Sequence, residues 1–188
     1  MKHHVHIVYV AVALLLGIGI GFSVTPEYAQ MKAEKQSPMM SIGKADTYVD
    51  LRFIDGMIAH HLAAIHLATQ AKDRSKRPEV LELANTIITV DTEGIAKLYE
   101  QKKSWYGNTK KITQYTKVQL GDADQQFDLR FINALVSHHQ EAISVAKEMQ
   151  TKSTRSEVLN LAGSVITGLS DGIKTLETWR GAWYGINN

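Results

Sequence analysis

Residues 50–61 read "DLRFIDGMIAHH", and residues 128–139 read "DLRFINALVSHH". One constant offset of 78 carries the whole of 50–107 onto 128–185 without a gap, with 25 of the 58 positions identical. The chain therefore contains a tandem duplication. A period this long exceeds that of a solenoid repeat and matches one helical hairpin per copy, so that two copies make a bundle.

Inside the first copy, Phe53, Ile54, Met57, Ala64, Ile65 and Ala68 recur at spacings of three and four, as a helix with one buried face requires. Phe131, Ile132, Leu135, Ala142, Ile143 and Ala146 repeat the pattern. After "KDRSKRPEV" (72–80), a second periodic run holds Val80, Leu81, Ala84, Ile87, Ile88, Ile95 and Leu98, and its counterpart runs from Val158 to Leu176. Pro78 lacks the N–H that a helix interior needs but suits a first turn, so a helix starts there. Each copy closes on "WYG", at 105–107 and 183–185, an aromatic anchor followed by a helix-stopping glycine. No segment alternates with period two. The predicted fold is all-α: an antiparallel four-helix bundle of two duplicated hairpins over 46–188, with repeat 1 at 46–107, repeat 2 at 124–185, and a connector around 108–124.

Composition narrows the function. A formal net charge of +2, with basic and acidic residues interspersed, gives nucleic acid no basic patch to bind. The absence of cysteine excludes disulfides, thiolate nucleophiles and cysteine-based zinc or iron–sulfur sites, leaving His, Met, Asp and Glu for any metal. Residues 1–30 carry an uncharged run from Ile7 to Val24, close to the ~18 residues at which a membrane span becomes plausible. This segment is a signal peptide or an anchoring hydrophobic helix. The poor cleavage motif at Glu27-Tyr28-Ala29 tilts towards an anchor. Either way the bundle is expected outside the cytoplasm, periplasmic or tethered to the membrane. Residues 31–45 read as a flexible linker.

A helix turns about 100° per residue, which places Asp50, Phe53, His60, His61, Ala64 and Ala68 within roughly 60° of Met57. The histidine pair thus straddles the core-facing stripe, three and four residues after Met57, while His66 falls on the opposite, solvated face. On the second helix Asp91 centres on the buried face, where an acid needs a partner. Leu169 stands at its place in the second copy, so the first hairpin has the more polar interior. Bundles build metal sites from inward-facing side chains on facing helices, and imidazole with thioether suits copper or silver. The bland alternative is that each histidine is packed and satisfied by one hydrogen bond. His3, His4 and His6, and Met39 with Met40 in the linker, are further potential soft or borderline donors.

Enzyme motifs are missing. A di-iron carboxylate site needs Glu-x-x-His on two helices, and none occurs; nor does a zinc-protease helix, a nucleophile elbow or a phosphate loop. His138 with Glu141 is a conceivable base and orienter, but an ordinary exposed helix pair is the better explanation. Bis-histidine haem ligation stays open, since the lack of Cys-x-x-Cys-His removes only covalent attachment.

"YVDLRFIDGMIAHHLAAI" and "DLRFINALVSHHQEAI", each followed by Ser-x-Arg-x-Glu-Val-Leu-x-Leu-Ala and closing on "WYG", resemble the ferritin-like family known as domain of unknown function 305, over Tyr48 to Gly185. The resemblance implies a four-helix bundle in an exported bacterial protein that binds copper through Met and His. Departures from the family pattern are Leu67 and Val145 where a methionine is usual, and Asp91, Gly94 and Leu98, with Leu169, Gly172 and Leu176, where Gln, Glu and Met are usual. The expectation is a non-enzymatic, exported copper-binding protein with a site near Met57, His60, His61 and Asp91. His138 and His139 would then form a weaker or structural site. The competing expectation is a membrane-tethered interaction module whose histidine pairs are structural.

Overall fold

The computed structural model describes residues 42–186. Four helices account for most of them: α1 (Val49–Arg74), α2 (Pro78–Tyr106), α3 (Phe127–Gln150) and α4 (Ser156–Tyr184), with no strand among the described residues. The bundle predicted from periodicity is the fold found. The hydrophobic run at 7–24, the leader histidines and Met39 and Met40 lie outside the described residues. Among those described, no helix is long and apolar enough to cross a membrane.

Local chemistry sets the boundaries. Pro78 occupies the first turn of α2, where its missing N–H costs nothing. α2 and α4 end alike, on Gly107 (φ 60°) and Gly185 (φ 67°), whose left-handed conformation lets their N–H groups close on the carbonyls of Lys103 and Gly181. The end of the segment read as linker is anchored. Ile42 is buried, and its carbonyl accepts from Arg52 Nε at 2.6 Å. Leu120 and Arg130 repeat this arrangement 78 residues on, also at 2.6 Å.

α1 packs along α2 and α3 along α4, and the hairpins meet chiefly through α1 against α3. Two apolar clusters result. One joins Phe53, Ile54 and Met57 of α1 to Ala146 and Met149 of α3 and Val158 of α4. The other joins Phe131, Ile132 and Leu135 of α3 to Ala68 and Ala71 of α1 and Val80 of α2. Members of one become members of the other on adding or subtracting 78, so the hairpins are related by a pseudo-two-fold. Each cluster sets the first half of one hairpin's leading helix against the second half of the other's, and α1 and α3 therefore run antiparallel. A fully buried Phe or Leu contributes about 1.5–3 kcal/mol, so two such clusters carry the association of the hairpins.

Residues shared by both copies clasp this interface. Asp50 of α1 accepts from Ser153 Oγ (2.6 Å) and Arg155 Nε (3.2 Å) of the other hairpin, and the Arg155 guanidinium lies 4.3 Å from the ring of Trp105. Across the pseudo-axis, Arg77 Nε reaches Asp128 at 3.3 Å and its guanidinium covers Trp183, again at 4.3 Å. The Asp, Ser-x-Arg and Trp signatures of the repeat are thus parts of one inter-hairpin lock.

Candidate metal centre

The pseudo-axis passes between α1 and α3 midway between the two apolar clusters, and the histidine pairs sit there. The His60 and His138 rings stack at 3.7 Å between centroids, 2° from parallel. His61 lies 5.9 Å from His60, and His139 lies 6.2 Å from His138. Four imidazoles therefore form one row across the waist of the bundle, drawn from both hairpins. Sequence spacing, read one helix at a time, had placed them in two separate sites.

Glycines seat the ends of the row. A Cβ on Gly94 of α2 would stand 3.3 Å from His61 Nε2, and one on Gly172 of α4 would stand 3.2 Å from His139 Nε2. A mid-helix glycine destabilises a helix by roughly 0.5–1 kcal/mol relative to alanine, and close approach of a ring is the reason one is tolerated here. These two glycines are site residues that the sequence reading met only as departures from a family pattern; their shared offset of 78 was the available signal.

Burial sets the protonation of the row. It holds His60 well below the ordinary imidazole range, with the neighbouring histidines adding to the effect. Burial, then His139 and His61, lowers His138 to about 3, and burial lowers His139 to about 4. All three are neutral at pH 7, so each ring keeps one unprotonated nitrogen. His61 Nδ1, His138 Nε2 and His139 Nδ1 are buried nitrogens without a hydrogen bond. Such groups are costly unless something meets them.

Asp91 has the partner its position required. Its Oδ1 lies 3.0 Å from His61 Nδ1, the two side chains being 16% and 20% exposed and so within reach of solvent. Close as this approach is, His61 Nδ1 makes no hydrogen bond of standard geometry. Met57 is elsewhere in character: it is fully buried in the first apolar cluster, at the place Leu135 takes in the second. His66 is half-buried against the connector, with Gln119 Nε2 3.4 Å from its Nε2 and Tyr115 across its ring, so the solvated face expected for it is covered. Sequence reasoning also missed Lys102, wholly buried, whose Nζ meets Asp55 at 2.7 Å and the Lys110 carbonyl at 2.8 Å and ties the connector down.

The row offers its imidazoles as adjacent pairs rather than as a closed cage. Among the described residues no three His, Cys, Asp or Glu side chains gather around one point. Haem fits poorly, since stacked His60 and His138 leave no gap for a macrocycle between them.

Comparison with known proteins agrees with the fold. The family model described as "Domain of unknown function (DUF305)" matches twice, over residues 50–120 and 113–180. Among solved structures, silver-bound CopM obtained by co-crystallization is similar at a TM-score of 0.65 and 29% identity, covering 72% of this chain and 98% of that one. CopM in its Cu(I)-bound form gives 0.62 and 28%, with coverage of 72% and 98%. CopM in its Cu(II)-bound form gives 0.62 and 27%, covering 72% of this chain and 97% of that one. No curated protein matches the chain.

Proposed function

We propose, for a chain that belongs to the DUF305 family, that it binds copper or a similar soft or borderline ion at the waist of its bundle, to sequester or deliver it without turnover. The observation that carries this reading is the row of four imidazoles. At least three of them are held neutral, and three of the row's nitrogens are buried with no hydrogen bond. An interior that buries imidazole nitrogens without hydrogen bonds is suited to an ion that would meet those carrying a lone pair. Neighbouring donors drawn from His60, His61, His138 and His139, with Asp91 beside His61, are the residues that would hold it. The similar CopM structures hold Ag, Cu(I) and Cu(II), which supports the choice of ion class.

The uncharged run at 7–24 supports export, with the bundle working outside the cytoplasm, where a cysteine-free donor set does not depend on a reducing environment. A second reading is a membrane-tethered interaction module with structural histidines. The face-to-face His60–His138 contact favours it, because stacked rings are already partners to each other. Titration with Cu(I), Ag(I) and Cu(II) against a competing chelator separates the two readings. Metal affinity no better than that of a variant carrying Asn at 60, 61, 138 and 139 would leave only the module.

A further inference from the structure

The two ends of the imidazole row are not equivalent, and the difference selects an ion. We infer that His61 and Asp91 form one binding site per chain for a divalent ion of tetragonal preference, Cu(II) foremost, at the α2 end of the row. This rests on the metal-binding reading above and goes further by fixing the oxidation state, the donor pair and the stoichiometry.

The geometry is the first argument. Nδ1 of His61 and Oδ1 of Asp91 stand 3.0 Å apart without hydrogen-bond alignment. With metal–nitrogen and metal–oxygen bonds of about 2.0–2.2 Å, that separation subtends roughly a right angle at a shared ion. Right-angled nitrogen–oxygen donor pairs suit the tetragonal field of Cu(II) or Ni(II). Two donors in line across an ion would instead stand about 4 Å apart. The donor types agree, since carboxylate oxygen with imidazole nitrogen is a harder set than the thioether of Met57, which is enclosed in the apolar cluster.

Position is the second argument. Gly94, three residues after Asp91 on the same face of α2, abuts Nε2 of the His61 ring and so leaves Nδ1 turned to the carboxylate. Both side chains are partly exposed while Nδ1 of His61 itself is buried, so an ion reaches the pair by a turn of these two side chains, without parting α1 from α3. At the far end His139 rests on Gly172 in the same way, but the position corresponding to Asp91 is Leu169. Hydrocarbon offers no donor, and the Nδ1 of His139 is left without a hydrogen bond. One end of a pseudo-symmetric row therefore carries a nitrogen–oxygen pair and the other does not.

The test uses the purified chain 1–188 with His3, His4 and His6 replaced by Asn, which removes donors outside the bundle. Cu(II) binding is followed by calorimetry against glycine as competitor and by electron paramagnetic resonance, and Ag(I) is titrated separately. The expected result is one Cu(II) per chain with a mixed nitrogen–oxygen signal. Asp91→Asn should weaken Cu(II) at least tenfold while Ag(I) affinity stays within about twofold. Asp91→Leu, which installs the residue that the second copy already accommodates, should do the same. Cu(II) affinity unchanged in both variants, or two equivalent Cu(II) ions in the parent, overturns the inference while Ag(I) binding leaves the general metal reading standing. If neither ion binds the parent, both fall.

Discussion

The rings of His60 and His138 lie face to face at 3.7 Å, one from each hairpin, on the axis that relates the two halves of the molecule. The contact is tolerable because both rings are neutral. Two imidazolium ions at that distance, with little solvent between them, would repel strongly. The waist of the bundle is thus held together by rings that must stay deprotonated.

Acid should therefore weaken the metal-free protein well before ordinary carboxylates titrate. His138 and His139 are lowered from 6.5 to about 3 and about 4 in the folded chain, whereas the unfolded chain takes up protons near 6.5. The unfolded state binds more protons in that window, so stability is fully present above pH 6.5 and falls as the pH drops, until the folded rings themselves titrate. Each such ring contributes a slope approaching about 1.4 kcal/mol per pH unit. Urea unfolding at pH 7.5, 6, 5.5 and 5 measures the slope. His138→Gln should flatten it, and a wild-type curve already flat over this range would refute the protonation states assigned to the row.

The two inter-hairpin clasps should differ in strength. Asp50 has both carboxylate oxygens engaged, by Ser153 and by Arg155, while Oδ1 of Asp128 is buried without a hydrogen bond. Removing Asp50 strands two donors, and removing Asp128 also removes an unsatisfied oxygen. Asp50→Ala is expected to cost roughly 2–3 kcal/mol and Asp128→Ala about 1 kcal/mol, read from denaturation midpoints. Equal costs would mean that the asymmetry of the clasps does not matter energetically, and the reverse order would refute the ranking outright.

These clasps also explain what the sequence hid. Helices, hairpins and their ends were legible because each is local: three- and four-residue spacing, Pro78 in a first turn, Gly107 and Gly185 at chain reversals. The docking of one hairpin on the other rests on partners such as Asp50 and Arg155, 105 residues apart, so the convergence of the two histidine pairs had no local signature. Met57 shows the opposite failure. Its place three and four residues before the histidines suggested a ligand, yet pseudo-symmetry puts it where Leu135 packs, and Met for Leu is a nearly volume-conserving exchange in a core. Asp91 was legible because a carboxylate on a buried face demands a partner, and His61 is that partner.

Glycines in α4 separate a packing requirement from mere tolerance. A Cβ at Gly163 or Gly168 would meet nothing within 4 Å, whereas at Gly172 it would press on His139 at 3.2 Å. Gly163→Ala and Gly168→Ala should each stabilise the protein by about 0.5–1 kcal/mol through helix propensity. Gly172→Ala should lose that gain by displacing the ring, and its thermal midpoint should sit at or below wild type. Equal stabilisation at all three positions would show that His139 does not depend on Gly172 for its seat.

The pseudo-two-fold makes the nitrogen–oxygen pair transferable. His139 stands on Gly172 as His61 stands on Gly94, with Cβ clearances of 3.2 and 3.3 Å, and Leu169 occupies the position three residues before Gly172 that Asp91 holds before Gly94. Leu169→Asp should therefore place a carboxylate beside the unpartnered Nδ1 of His139 and raise Cu(II) stoichiometry from one to two per chain, the second signal again showing mixed nitrogen and oxygen ligation. Leu169 is only partly buried, so the added charge keeps contact with solvent, and the destabilisation of the metal-free chain should stay near 1–2 kcal/mol. Bound metal should more than restore this, because an ion that binds only the folded state stabilises it by about 2.7 kcal/mol at a hundredfold excess over its dissociation constant. Adding His139→Gln to Leu169→Asp should return the stoichiometry to one. A helical, folded Leu169→Asp protein that still takes up one Cu(II) would show that the carboxylate at 91 acts through something other than its geometry with the neighbouring imidazole.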